Sequence, residues 1–205
     1  MGELDVLTTM ANETKGLPPP KPELLGDCPE AEVRRVLTYP HDEELLRVPT
    51  VPVEEFDQAL RNAVGSLAMT MYAADAIGIA ATQVGWNLQI FVADVLSGQA
   101  PQKGRPASQL LVAINPTVWL LPSQPVRAVE QCLSFPGASA TIERPLQIAM
   151  KAYNLRGEPY ALGCGHHLAR VIQHEYDHLQ GTLMIDRLDA AAQLKLKRKM
   201  WQKAS

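Results

Sequence analysis

The chain has 205 residues, 46 % of them hydrophobic and 20 % charged, with a formal net charge of −3 at pH 7. That is the size and balance of one globular domain with tails, long enough to bury a sizeable core. Total charge makes no case for nucleic acid or an anionic membrane surface, and no apolar run approaches the roughly 20 residues needed to span a bilayer.

Cys28, Cys132 and Cys164 are too few and too odd in number for a disulfide framework. A reducing compartment suits them better, as does use of one as a metal ligand. The acidic N-terminus has no basic stretch followed by an apolar block, so it does not read as a signal peptide. Val6 stands where a myristoylated chain carries Ser or Thr. The expected location is the bacterial cytoplasm, with an organelle as the alternative.

Residues 1 to about 30 are polar and rich in proline, with Pro18, Pro19, Pro20 and Pro22 close together. Such a segment cannot bury enough apolar surface to fold alone. It is expected to be a flexible arm, with Cys28 an incidental thiol. Val36-Leu37-Thr38-Tyr39-Pro40 suggests a short extended segment, followed by a proline-paced loop to Pro49. Residues 54–74 predict the N-terminal helix, because Phe56, Leu60, Val64, Leu67, Ala68 and Met71 keep a 3.6-residue stripe. The small residues of Ala76 to Gly85 let a backbone or ligand approach closely, and the Gln83 amide could donate to a carbonyl or an oxyanion. By itself that run reads first as a tight-packed turn with a surface glutamine.

Residues 89–95 read as a strand, 96–108 as an exposed loop, and 110–116 as a second strand closed by the Asn115-Pro116 turn. Residues 118–121 and 126–130 suggest a hairpin pair. Residues 141–160 give one strand, and a second across Asn154-Leu155-Arg156-Gly157. No helical pattern alternates with these strands, which argues against a parallel doubly wound sheet. The expected class is α+β: antiparallel β-sheets packed around a C-terminal helix, with one helix before them.

That C-terminal helix carries Gln173-His174-Glu175-Tyr176-Asp177-His178, an HExxH pattern. Leu168, Val171, Ile172, Tyr176 and Leu179 fall at helical spacing, and Gly181 supplies a stop. Positions i and i+4 share a helix face, so both imidazoles can direct a ring nitrogen at one divalent ion. Glu175 points about a quarter-turn away and can reach a water on that ion without being a ligand. The pattern also occurs by chance, with both histidines ordinary surface or core residues. A third candidate ligand stands in Glu130-Gln131-Cys132-Leu133-Ser134. A lone cysteine is commonly a small buried hydrophobe, but beside HExxH a thiolate would complete a Cys-His-His set with one open position, the arrangement of a catalytic metal.

Taken together, AIGIAATQ (Ala76 to Gln83), EQCLS (Glu130 to Ser134) and QHEYDH (Gln173 to His178) resemble the three ordered motifs of peptide deformylases, GxGxAAxQ, EGCLS and QHExDH. The resemblance runs from about residue 35 to about 188. It implies removal of the N-formyl group from the initiator methionine of nascent peptides, with release of formate. It further implies one divalent metal held by Cys132, His174 and His178, with Fe2+ the native ion and Zn2+, Ni2+ or Co2+ as substitutes. Glu175 would move the proton, while Gln83 and the Leu133 N–H would stabilise the oxyanion. Gly78 would pair with the extended substrate, and Ile77 and Val171 would line the methionine pocket. Glu130 and Arg144 would brace the cysteine loop as an ion pair, and Asp177 would support a ligand.

Two residues depart from the family motifs. Ala76 replaces a glycine and would be strained at positive φ. Gln131 replaces the glycine beside the cysteine, which should alter substrate or inhibitor fit while leaving activity intact. His166, His167 and Cys164 read as bystanders where the chain enters the helix. Residues 1–30 thus form an extension, 31–190 the catalytic domain and 191–205 a basic helical tail. The tail is either a solvated helix face or a contact for ribosomal RNA; no membrane partner is expected. Two rival functions stand beside deformylation. One is an HExxH metallopeptidase of another kind, with Asp186 or Asp189 as third ligand. The other is a deformylase-like metal-binding protein altered in catalysis.

Overall fold

The computed structural model describes residues 28–95 and 110–204. The 96–108 loop and most of the proline-rich arm lie outside the described residues. A single turn, α1 (Glu43–Leu46), precedes the long helix α2 (Gln58–Ala73). Seven strands follow: β1 (Gly78–Ala80), β2 (Ile90–Ala93), β3 (Leu111–Leu120), β4 (Pro125–Gln131), β5 (Ser139–Pro145), β6 (Gln147–Tyr153) and β7 (Pro159–Gly165). The HExxH helix α3 (His166–Leu179) and α4 (Ala190–Ala204) complete the order. One antiparallel sheet runs β1-β2-β3-β6-β7, and β4 and β5 form a second, two-stranded sheet. The α+β arrangement of antiparallel sheets around the HExxH helix is therefore what the chain adopts.

Alternation along the central strands explains the layering. Ile90, Val92, Val112 and Ile114 face α2, where Val64, Leu67 and Met71 meet them. Their neighbours Phe91, Ala93, Leu111 and Ala113 face α3 and pack on Ala169, Ile172 and Leu179. A strand buried on both faces must be apolar at every position, and β2 is. A third cluster joins Phe135, between β4 and β5, and Ile142 of β5 to Leu183, Met184, Leu196 and Met200. The tail is thus no simple solvated face, since α4 buries Leu196 and Met200.

Three local expectations change. Helix α2 starts at Gln58, four residues later than its stripe suggested, because the Asp57 carboxylate accepts the Leu60 N–H at 2.9 Å and caps it. Cys28 is no loose thiol. It is buried, bonds the Arg61 carbonyl at 3.0 Å and lies against Gly65, where a Cβ would come within 2.7 Å of its own. The backbone N–H groups of Glu32 and Arg34 then bond Ser66 and Thr70 along the same helix.

The third change is in strand pairing. Asn115-Pro116 does not close β3. Asn115 has φ 49°, and its amide bonds both the N–H and the carbonyl of Val53 at 2.8 Å. With those groups satisfied the strand bulges and continues, and the register shifts between Ile114 and Thr117. Val118, Trp119 and Leu120 therefore pair with β6, and residues 126–130 pair with β5 instead of forming a hairpin with β3.

Candidate metal centre

Helix α3 stacks His174 and His178 one turn apart, with ring centroids 5.2 Å from each other. Cys132 arrives from the end of β4, and the ligand atoms of the three residues lie within 4.8 Å of one another. Its Sγ is 3.2 Å from His178 Nε2. Burial alone would raise the Cys132 thiol, but His178 and His174 outweigh it and pull the pKa down to about 5. The thiolate is the ligand form of cysteine.

Two residues before Cys132, Glu130 turns inward and accepts His174 Nδ1 at 2.9 Å. A carboxylate there holds the proton on Nδ1 and frees Nε2 for an ion. Burial works against the charged Glu130, yet its contacts with His174 and Arg144 bring it down to about 2. Arg144 grips Glu130 through two bonds of 2.6 and 3.0 Å and donates to Asp177 at 2.9 Å. Asp177 is gripped in turn by Arg187. The expected Glu130–Arg144 pair is present, but the link from Glu130 to His174 had no signal in the sequence.

Gln83 sits on the short turn Ala81–Val84 after β1. Its Oε1 accepts the Ala80 N–H at 2.9 Å, which aims Nε2 at Ser134 Oγ, 3.2 Å away, and Cys132 Sγ, 3.5 Å away. Ser134 is a neighbour that sequence reasoning did not single out. Glu175 is buried, and its Oε2 has no hydrogen-bond partner. Burial pushes its carboxyl up to about 7, against the pull of both imidazoles.

A cleft of about 880 Å³ opens onto this group, walled by Ile77, Gly78, Gln83, Gln131, Leu133, Val171, His174 and Glu175. All nine candidate residues are therefore brought together, with His178 buried beside Cys132 and not lining the cleft. Gly78 has a particular reason to be glycine: a Cβ there would stand 2.5 Å from Glu175 Oε1 and 3.0 Å from Val171 Cγ1. Gly78→Ala is expected to displace the Glu175 carboxylate. Since a shift of about 1 Å can cost on the order of 100-fold in rate, turnover should fall by about that factor with metal content unchanged. Steady-state kinetics beside metal analysis would check it, and wild-type turnover would contradict it.

The departures are accommodated. Ala76 is not in the left-handed region; the positive φ of 52° falls on Asp75. Gln131 is exposed at the lip of the cleft. His166 takes φ 57° and gives its N–H to the Leu146 carbonyl at 2.9 Å, so it and His167 enter the helix as exposed residues. Asp186 and Asp189 are engaged elsewhere: Asp186 holds Arg47 at 2.7 and 3.0 Å, and Asp189 accepts the Ala192 N–H at 2.8 Å.

Residues 33–194 match the family model described as polypeptide deformylase. The chain belongs to the peptide deformylase family. It is 37 % identical over 168 residues to a peptide deformylase of Methylacidiphilum infernorum, covering 78 % of this chain and 88 % of that one. It is 38 % identical over 156 residues to one of Thermotoga maritima, covering 76 % and 88 %. The crystal structure of a peptide deformylase from Legionella pneumophila superposes with a TM-score of 0.74 at 30 % identity, covering 84 % of this chain and 96 % of that one. The chain is accordingly an enzyme of that kind, a hydrolase with a Cys-His-His group fit for a metal. No helix among the described residues is long and apolar enough to cross a membrane.

Proposed function

We propose that this chain removes the N-formyl group from the initiator methionine of newly made peptides, releasing formate, with Cys132, His174 and His178 as ligands of one divalent ion. The observation that carries this reading is a buried Glu175 carboxylate, one oxygen of which has no partner, in the cleft lined by Cys132 and His174, whose donor atoms converge with that of His178. The residues fit an ion: the thiol is already driven towards thiolate, and Glu130 frees the correct nitrogen of His174. One soft sulfur with two imidazoles suits Fe2+, and equally accepts Zn2+, Ni2+ or Co2+; Fe2+ is our choice for the native ion. When bound, such an ion lowers the pKa of a coordinated water and draws charge from a carbonyl oxygen.

The chain's own residues supply the rest. β1 is an edge strand, and Gly78 leaves its backbone open for an extended peptide to add alongside. Ile77 and Val171 receive the methionine side chain. Glu175 takes a proton from the attacking water and delivers it to the departing amine. The Gln83 amide and the Leu133 N–H donate to the oxygen that becomes negative in the transition state. In this reading residues 31–190 are the catalytic domain, between an N-terminal extension and the basic tail.

Protein prepared anaerobically with iron should release formate from formyl-Met-Ala-Ser, and chelation should abolish it. Cys132→Ser should lose both metal and turnover, whereas a peptidase with an aspartate as third ligand would keep its metal. Metal retained in that variant would overturn the ligand set. For a partner beyond the substrate, α4 exposes Lys195, Lys197, Arg198 and Lys199 beside Leu194 and Trp201. This supports a salt-sensitive contact with ribosomal RNA, and unchanged ribosome binding after deletion of residues 195–205 would sink it. The bacterial cytoplasm, or an organelle with its own translation, is the compartment consistent with three unpaired cysteines.

A further inference from the structure

Helix α3 carries one more charged side chain that faces the site, Arg170, one turn before His174. The roles above leave it unused. Arg170 Nη1 bonds Glu130 Oε1 at 2.7 Å and the Ile142 carbonyl of β5 at 3.0 Å, while Nη2 bonds the Val126 carbonyl of β4. One guanidinium thus holds both strands of the small sheet and the carboxylate that orients a candidate metal ligand. It also lines the cleft.

The arithmetic at Glu130 gives this contact its meaning. A carboxylate offers about four acceptor positions. Oε1 receives Arg144 Nε and Arg170 Nη1, and Oε2 receives Arg144 Nη2 and His174 Nδ1. All four are filled, so the carboxylate cannot turn without breaking a bond to an arginine. The small sheet is separate from the five-stranded one. Polar bonds from α3 tie it to that helix: those of Arg170, and Gln173 Nε2 to the Pro145 carbonyl at 3.0 Å. β4 also forms the cleft wall, through Val129 and Gln131.

We propose that Arg170 is a positioning residue for deformylation, locking the β4–β5 wall and the Glu130 carboxylate to α3 so that peptide-binding wall and His174 imidazole keep one fixed relation. The inference rests on the reading of Cys132, His174 and His178 as metal ligands. A lysine at this place would keep the charge but lose the planar fork, and one ammonium on a flexible stem replaces it poorly.

The test uses the full chain, wild type beside Arg170→Met and Arg170→Lys, with Co2+ as the probe ion. Partners behind a metal ligand typically cost 10- to 100-fold in affinity when removed. Arg170→Met should therefore weaken Co2+ binding about tenfold and shift the visible absorption of the bound ion. It should also raise KM for formyl-Met-Ala-Ser more than for formyl-Met, because a longer peptide laid along β1 fills more of the cleft whose lining includes Val129 and Gln131 of β4. Arg170→Lys should recover part of the Co2+ affinity but not the KM, and it carries the test should the methionine variant fail to fold. Co2+ affinity, spectrum and both KM values within about twofold of wild type in a folded variant would overturn the proposal. Failure of the wild type itself to bind Co2+ through a thiolate would overturn the ligand set, and the inference with it.

Discussion

Glu175→Gln is expected to lower kcat for formate release by about 100- to 10,000-fold, the range that a positioned general base supplies, and to leave metal content unchanged. Glutamine keeps the shape and the place in α3 but cannot accept and return a proton at the reacting water. Glu175 lies outside the convergent group of ligand atoms, so the ion should stay. The fold should stay too. The Glu175 carboxyl is buried with one oxygen unpartnered, and burial already drives it towards its neutral form. Exchange for a neutral amide of the same shape therefore costs the fold little. Single-turnover formate release, iron per chain and the thermal midpoint together decide the matter. Wild-type turnover would end the proton-transfer role, and loss of metal would make Glu175 a ligand.

Arg144→Met has the largest expected effect on stability. Its guanidinium is buried and joins two carboxylates on different elements, Glu130 on β4 and Asp177 on α3. Removing one member of a buried ionic group strands the others, which costs about 3–5 kcal/mol. Arg187 belongs to the same network through Asp177, but its side chain is 46 % exposed. Solvent screening limits an exposed partner to about 1 kcal/mol or less. Urea unfolding of Arg144→Met and Arg187→Met should therefore differ several-fold in lost stability. Equal losses would show that burial does not govern the network. Arg144→Met should also weaken metal binding, because Glu130 would lose two of its four bonds and hold His174 less firmly.

Much of the site was open to reading before any coordinates. Two histidines at i and i+4 with a glutamate between are a local pattern, and a regular helix converts that spacing into a shared face. The three ordered motifs added Cys132, Gln83 and Gly78, residues 42, 91 and 96 positions before His174, and all three lie within the stretch that matches the family model. Gly78 was legible as a small residue, but not that Glu175 is what its missing Cβ makes room for.

Other features were decided only when the chain closed on itself. The strand at residues 118–120 could have paired with residues 126–130 on pattern alone; the Asn115 amide, bonded to Val53 sixty-two residues away, lets β3 bulge and run on to β6. Cys28 looked like part of an arm until Gly65 made a notch for it on α2. Arg170 read as an ordinary charge, and the Glu130–Arg144 pair and Asp177 were given only by the family resemblance, because nothing local marks a charge that will be buried. What the sequence determined by itself was therefore what depends on period and neighbourhood: the α3 ligand face, the α2 stripe, the apolar strands and the α+β class. Tertiary structure decided which strands pair and which charges meet inside, because both depend on residues far apart in the chain losing water together.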